Sequence, residues 1–116
     1  MLAYSNRLTK KREIETVLKQ GRVFYTKYFI IRTKKNQAEQ SRFAIVVSTK
    51  VSKKATQRNT VKRRLSELLR QALNKIKPGY DLVIIASPAI IEKGRVITSG
   101  EIKKILDFAL HKINLL

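Results

Sequence analysis

The sequence predicts one α+β domain over residues 1–116, with the element order α-β-β-β-α-β-α and a four-stranded sheet packed with helices. The apolar residues fall in periodic blocks, which is typical of a folded chain and not of a disordered one. A chain of 116 residues buries roughly two-thirds of its unfolded surface, which is enough for a hydrophobic core. With no cysteine and a single histidine, the chain cannot form disulfides, thiolate nucleophiles or multi-histidine metal sites.

The first half of the chain predicts a helix followed by three strands. The helix follows Thr9 and ends near Gln20, because apolar residues recur at helical spacing and Gly21 is a typical stop. Residues 23–33 are rich in β-branched and aromatic side chains, which predicts two short strands or one bent strand. After a polar loop, residues 43–48 scarcely alternate in polarity, which predicts a strand covered on both faces.

The second half predicts a long helix, a buried strand and a final helix. An apolar stripe of 3.6-residue period marks the long helix: Val61, Leu65, Leu68, Leu69, Ala72, Leu73 and Ile76. Asn59 or Thr60 is expected to cap its start, and Pro78-Gly79 to end it. Residues 80–86 form the buried strand, and Thr98-Ser-Gly-Glu101 is a capping box that opens the final helix.

The charge of the chain indicates a polyanionic partner. The formal net charge is +18, and residues 1–85 carry 21 basic and 5 acidic side chains against 5 and 3 in residues 86–116. Nucleic acid is favoured over an anionic membrane, since no segment is a basic amphipathic helix. The longest apolar run, residues 82–86, is far shorter than the ~20 residues of a membrane span, so a cytoplasmic protein is expected.

Residues 50–70 concentrate this charge, with Glu67 as their one acid. The basic side chains are Lys50, Lys53, Lys54, Arg58, Lys62, Arg63, Arg64 and Arg70. Several of them are expected at the start of the long helix, where the helix dipole disfavours cations by about 0.3–1 kcal/mol each. A phosphate bound at that point would explain them. A basic face that only contacts solvent is the alternative.

The titratable residues do not form a recognisable nuclease site. His111 stands alone near the carboxyl end, and Glu13 and Glu15 are two residues apart on a helix and point in different directions. Asp81 opens a strand and Glu101 caps a helix. Neither a histidine pair nor a carboxylate cluster is predicted, so the protein is not expected to hydrolyse phosphodiesters by itself.

Four segments in register resemble the protein subunit of bacterial ribonuclease P. Arg58-Asn-Thr-Val-Lys-Arg63 is similar to that family's Arg-Asn-Arg-x-Lys-Arg signature, and residues 7–21 resemble its amino-terminal segment. Ser48-Thr-Lys50 and Tyr80-Asp-Leu-Val-Ile-Ile-Ala86 are similar to the exit of its third strand and to its last strand. The resemblance covers roughly residues 5–112.

The resemblance implies a fold of the ribosomal protein S5 domain 2-like kind, with a left-handed βαβ crossover. It implies the protein subunit of a ribonucleoprotein endoribonuclease that removes the 5′ leader from precursor tRNA. The catalytic RNA would perform the chemistry without protein catalytic residues, and Mg²⁺ would be held mainly by the RNA subunit and the substrate. The implied partners are the ribonuclease P RNA, bound one to one, and precursor tRNA, with no membrane and in the cytoplasm.

The resemblance also implies two RNA-binding surfaces. Residues expected to bind the catalytic RNA are Lys50, Lys53, Lys54, Arg58, Asn59, Lys62 and Arg63. Residues expected to bind the leader, in a cleft between the first helix and the sheet, are Arg7, Lys10, Lys11, Arg12, Ile14, Leu18, Tyr28, Arg32 and Ser48.

This chain departs from the family pattern in the signature and in the cleft. Thr60 stands where the signature usually has Arg, for which Arg63 and Arg64 are candidates to compensate, and Ser87 replaces an Arg in the last strand. Ile14 and Leu18 occupy positions where the family typically carries Phe, so they cannot stack on bases. They could equally be core residues, and leader binding could depend on strand residues such as Tyr25, Tyr28 and Arg32, although the tyrosines could also be core.

A structural RNA-binding protein, such as a ribosomal protein or an RNA chaperone, is the alternative function. Composition does not separate the two functions, because both kinds of protein are small and very basic.

Overall fold

The computed structural model describes residues 3–116, without the side chain of Tyr4, so the first two residues of the predicted domain lie outside the described part. The helices are α1 (Lys11–Gln20), α2 (Ala55–Ala72) and α3 (Ser99–Lys112). The strands are β1 (Arg22–Tyr25), β2 (Phe29–Lys35), β3 (Arg42–Val46), β4 (Tyr80–Ala86), β5 (Ile91–Glu92) and β6 (Arg95–Val96). None of the helices in residues 3–116 is both long and apolar enough to cross a bilayer.

Strands β1 to β4 form one sheet in the spatial order β1-β2-β4-β3, which confirms the predicted four-stranded sheet. β1, β2 and β4 pair antiparallel, whereas β3 and β4 are parallel and are joined through α2. The hand of this crossover stays a prediction from the family resemblance. β5 and β6 form a separate hairpin that the sequence analysis missed; its turn residues Lys93 and Gly94 have φ angles of 51° and 76°, as a type I′ turn requires.

The sheet is covered unequally on its two faces. Helices α2 and α3 pack on one face and bury the larger core, with fully buried side chains such as Phe29 and Ile84 from the sheet and Leu69 and Leu106 from the helices. Helix α1 covers only part of the other face, in a smaller cluster of Leu8, Val17 and Val83. This unequal covering leaves part of one sheet face open.

The predicted limits of the long helix are wrong at both ends. Helix α2 begins at Ala55, so Asn59 and Thr60 lie inside it and cannot cap it, and the Thr60 hydroxyl donates to the Thr56 carbonyl oxygen at 2.9 Å. It ends at Ala72, six residues before Pro78, and the apolar stripe continues through a turn to the buried Ile76. The stripe marked burial correctly but did not mark where the helical hydrogen bonds stop.

The prediction that β3 is covered on both faces is also wrong. β3 is an edge strand, and Val46 is 38% exposed. A short amino-terminal segment pairs with its start, where the Leu8 amide donates to the Phe43 carbonyl oxygen at 2.8 Å. Because Ala44 and Val46 lie on the face that α1 covers only in part, an apolar run that looked fully buried lines an open surface.

The predicted capping box of α3 is confirmed. The Thr98 hydroxyl oxygen accepts a hydrogen bond from the Glu101 amide at 3.2 Å, and Thr98 is the N-cap residue. The predicted end of α1 at Gln20 is also confirmed. Gly21 does not adopt the left-handed conformation typical of a glycine stop, since its φ is −74°.

Candidate nucleic-acid interface

The start of α2 presents backbone amides and cations together. Its N-cap residue, Lys54, makes no side-chain capping bond, and its first turn contains no acidic residue. The loop before the helix is held in place by Ser52, whose hydroxyl oxygen accepts from the Lys54 amide at 3.1 Å and lies 2.6 Å from Gln57 Oε1. A fixed helix start without an acidic or capping side chain is suited to bind an anion.

Six predicted residues surround this helix start with exposed side chains, and we call them the helix-start surface. They are Lys50, Lys53, Lys54, Asn59, Lys62 and Arg63. Asn59, Lys62 and Arg63 share one face of α2 by their i, i+3, i+4 spacing. Arg58 differs, because it is half-buried and its Nη1 donates to the Ser52 carbonyl oxygen at 2.9 Å. Its position indicates that it orders the loop before the helix.

Two other arginines of the basic segment are engaged elsewhere. Arg64 is half-buried, and its Nη1 donates to the carbonyl oxygen of Val96 in the β5–β6 hairpin at 3.2 Å, so part of its donor capacity is used within the protein. Whether it compensates for the arginine missing at Thr60 stays a prediction. Arg70 pairs with Glu67, and hydrogen bonds from Arg70 lower the pKa of Glu67 to about 2. Glu67 therefore stays charged at neutral pH and balances Arg70, and the free positive charge lies at the helix start.

The open part of the sheet carries a row of apolar side chains, which we call the sheet cleft: Val23, Tyr25, Ile30, Ile85 and Val46. Tyr25 pairs with Ile30, Ile30 with Ile85, and Val46 with Ile85, so four of these side chains lie in line across the sheet. Tyr25 is 66% exposed, and Val23 and Val46 are about 40% exposed. These are three of the four large hydrophobic residues described as exposed in residues 3–116, and they share one face.

Helix α1 forms one wall of the sheet cleft. Ile14 and Leu18 are half-buried and pack against the cluster of Leu8, Val17 and Val83, so they combine a core contact with an accessible edge. The guanidinium of Arg32 reaches the end of the helix, where its Nη1 donates to the Leu18 carbonyl oxygen at 2.9 Å. Arg32 thus caps the carboxyl end of α1 and places a positive charge beside the sheet cleft.

A charged network fixes the other end of α1. The Arg42 guanidinium donates to both carboxylate oxygens of the buried Asp81, at 2.9 and 2.8 Å, and also lies 2.9 Å from Glu13 of α1. Asn36 Nδ2 donates to Asp81 at 2.7 Å. The hydrogen bond to Asp81 raises the pKa of Arg42 above its ordinary value. Glu13 and Asp81 therefore lie close together because both bind the Arg42 guanidinium, and this arrangement is structural.

The remaining predicted leader-binding residues are placed differently. Arg7, Lys10, Lys11 and Arg12 are exposed at the start of α1, and Ser48 is exposed just after β3. Tyr28 is only 9% exposed and belongs to the larger core, with its hydroxyl 3.5 Å from Glu101. The structure does not bring Tyr28 together with the others, because it packs on the face covered by α2 and α3.

A groove joins the two surfaces. It has a volume of about 310 Å³ and runs between the amino-terminal segment, β3 and α2, with Arg7, Ile14, Val46 and Lys62 among its lining residues. Lys62 belongs to the helix-start surface and Val46 to the sheet cleft. A single extended polyanion could therefore contact both.

The described residues contain no group of three or more histidine, aspartate or glutamate side chains placed to hold a metal ion. His111 is exposed on α3.

The sequence analysis missed Val23, Val46, Ile30 and Ile85 as part of a surface. In the sequence they belong to apolar runs that look like core strands. Their shared exposure results from the pairing of distant strands and from the small area that α1 covers, and no local pattern carries that information.

Comparisons with known proteins show the family and the fold of this chain. Residues 2–110 match a family model described as Ribonuclease P. The Ribonuclease P protein component of a Cyanothece species is 33% identical over 94% of this chain and 95% of that protein, and that of Clostridioides difficile is 45% identical over 68% and 69%. The RNase P protein from Thermotoga maritima, solved in complex with 1-(4-fluorophenyl)-2-thiourea, is 30% identical with a TM-score of 0.80, covering 89% of this chain and 96% of that one. A Staphylococcus aureus RNase P protein at 23% identity shares the fold, with a TM-score of 0.85 over 97% and 91% of the two chains.

Proposed function

Because this chain belongs to the ribonuclease P protein family, and is thus a protein component of that enzyme and a partner of its RNA, we propose that it helps that RNA remove the 5′ leader from precursor tRNA. The observation that carries the proposal is the continuity of two surfaces. A basic helix start and an apolar, partly aromatic sheet cleft are joined by the groove at Lys62. This combination suits a folded RNA on one side and a single strand on the other.

The helix-start surface is proposed to bind the catalytic RNA. Its lysines and Arg63 would neutralise backbone phosphates, and the amides of the first turn of α2 would donate to one of them. Arg58 contributes by holding the loop before the helix in shape. Because these contacts are to phosphates, they would give affinity that depends strongly on salt and little on sequence.

The sheet cleft is proposed to hold the leader. A single strand exposes its bases, and the exposed ring of Tyr25 offers one of them a stacking platform worth about 1–3 kcal/mol. Ile14 and Leu18 would contact bases by their exposed edges, and Arg32 would place its charge near the backbone. The cationic residues Arg7, Lys10, Lys11 and Arg12 would extend the phosphate contacts past α1.

In this proposal the RNA subunit carries out the hydrolysis, and Mg²⁺ is held mainly by that RNA and the substrate. Glu13 and Asp81 both bind Arg42, so these two carboxylates are already paired with a cation. The protein would act by lowering the repulsion between RNA phosphates, which lowers the magnesium concentration needed for assembly.

The direct test is precursor-tRNA cleavage at low magnesium by a bacterial ribonuclease P RNA, with and without this protein. The expected result is accurate 5′-end cleavage with both components and none with the protein alone. If the protein binds RNA tightly but never stimulates cleavage, the proposal is wrong and a structural RNA-binding role replaces it.

Replacing Lys62 and Arg63 together by Ala should weaken binding of the RNA subunit. Both side chains are exposed, so the fold should persist, and two fewer phosphate contacts should reduce the slope of log K against log salt by about 1.4–1.8. The pair is a cleaner test than one including Arg58, whose loss would also loosen the loop. Lys103→Ala with Lys104→Ala on α3 removes the same charge elsewhere, and an equal effect of that control would contradict the assignment.

Tyr25→Ala should weaken binding of precursor tRNA by about 5- to 150-fold, while binding of the leaderless mature tRNA should stay unchanged. The physical reason is the loss of one exposed stacking surface on the sheet cleft. Phe108→Ala is the matched control, because Phe108 is 54% exposed but lies on α3, which packs against the other face. Equal losses for both forms of tRNA would remove Tyr25 from the leader site.

A further inference from the structure

A second strongly basic site lies at the end of the sheet where β1 begins and β2 ends, and we call it the sheet-end pocket. Its volume is about 430 Å³. Among the residues that the structure describes, the pocket is lined by four cationic ones, Arg22, Lys34, Lys35 and Lys77, and by no aspartate or glutamate. Such a concentration of one charge in a concave site favours an anion.

Two of the four cations of the sheet-end pocket, Arg22 and Lys34, are held by neutral partners. Arg22 Nη2 donates to the Ile113 carbonyl oxygen at 2.9 Å, and Lys34 Nζ donates to Gln20 Oε1 at 2.7 Å. Lys35 and Lys77 are exposed. Asp81, on the strand next to Lys34, is bound by Arg42 and Asn36. Neutral partners fix the positions of Arg22 and Lys34 without cancelling their charge.

A buried hydroxyl in the wall of the pocket gives a second, independent indication. Thr33 is 2% exposed, and its Oγ1 is the one buried side-chain oxygen or nitrogen in the described residues that has no hydrogen-bond partner. A buried polar group without a partner is costly, and most such groups are satisfied in folded proteins. The hydroxyl hydrogen can rotate to donate toward a ligand in the pocket.

We propose that the sheet-end pocket binds a phosphate group. Phosphate offers several strong acceptor oxygens, which suits a pocket lined by one arginine, three lysines and a threonine whose hydroxyl has no partner. The site is separate from the proposed RNA surfaces. Arg22 and Thr33 pair three residues along the strands from the Tyr25–Ile30 pair, and α2 begins beyond the opposite end of the sheet.

Inorganic phosphate, titrated at constant ionic strength against the ¹⁵N-labelled protein, provides the test. The amide resonances of Thr33 and Lys34 should shift and saturate. Lys35→Gln with Lys77→Gln should weaken the affinity about tenfold, and Thr33→Val, which keeps the side-chain shape, should weaken it several-fold. Lys103→Gln with Lys104→Gln removes equal charge from α3 and should change the affinity less than twofold.

A short single-stranded RNA without terminal phosphates separates the two sources of the phosphate. If this RNA shifts the same amides to saturation, the pocket takes a backbone phosphate. If only inorganic phosphate saturates them, the pocket takes a free phosphate ion, and the phosphate site stands. Shifts that grow linearly without saturation, or an equal loss of affinity in the Lys103 and Lys104 control, would overturn the proposal whatever the outcome of the cleavage assay.

Discussion

Arg42 shows how one residue joins three elements. It lies on the edge strand β3 and binds Asp81 of β4 and Glu13 of α1, while its own side chain is only 25% exposed. The Asp81 side chain is 9% exposed, so hydrogen bonds from these partners replace most of the water around its carboxylate. Removing Arg42 would leave a buried carboxylate with Asn36 as its remaining side-chain donor among the described hydrogen bonds.

Arg42→Met should lower the free energy of unfolding by about 2–4 kcal/mol, because it breaks a largely buried ion pair and leaves one charge unmatched. Urea unfolding measures the difference. The matched control is Arg70→Met, which breaks the solvent-exposed pair with Glu67 and should lower the free energy of unfolding much less. Similar losses for the two variants would show that Asp81 does not depend on Arg42.

At the scale of elements, the junction between α1 and β1 depends on a close backbone approach at Gly21. A Cβ atom at this position would lie 2.5 Å from the Val17 carbonyl oxygen and 2.8 Å from that of Thr33. Since both contacts are backbone atoms, neither can move aside cheaply. Gly21 thus allows α1 to end directly against β2.

Gly21→Ala should therefore destabilise the protein by about 1–3 kcal/mol, as an overpacked site does. Gly100→Ala in the first turn of α3 is the comparison, because the atom nearest to its added Cβ would be the Thr98 hydroxyl oxygen at 3.9 Å. That control should be neutral or stabilising by about 0.5–1 kcal/mol, as an alanine in a helix usually is. Thermal or urea unfolding of both variants checks the contrast, and a neutral Gly21→Ala would refute the close approach.

The elements that the sequence predicts well are those with local signals. The capping box marks α3 to within a residue, and the run Tyr80–Ala86 coincides with β4. The predicted start of α2 is too late because the true start has no capping side chain that the sequence could indicate. Hydrogen bonds of Ser52, in the preceding loop, to Lys54 and Arg58 hold that start in place instead. The β5–β6 hairpin, with two residues in each strand, is too short to produce a periodic pattern.

The candidate sites divide in the same way. The basic helix start can be predicted from the sequence because its charged residues lie close together in the chain. The sheet cleft cannot, because it depends on the strand register that aligns Tyr25, Ile85 and Val46 from three strands. The sheet-end pocket brings together Arg22 and Lys77, which are far apart in the chain. Only the tertiary fold could reveal it.

At the scale of the whole molecule, the net charge of +18 opposes folding by self-repulsion. Anions that bind or screen this charge should relieve the repulsion. Sulfate should raise the midpoint of thermal unfolding, followed by circular dichroism, by several degrees for each kcal/mol gained. Sodium chloride at the same ionic strength should raise it less, because chloride screens but offers no multiple acceptors; no rise with sulfate would contradict the prediction.

Helix α1 is fastened at both of its ends, by Glu13 to Arg42 near the start and by the Leu18 carbonyl to Arg32 near the end. The position of α1 beside the sheet cleft is therefore fixed in the folded protein before any strand binds. The entropic cost of ordering such a complex falls on the incoming strand alone. Variants at Glu13 or Arg42 would loosen the contact near the start of α1, and would then weaken binding without changing a side chain that the proposal places on the ligand.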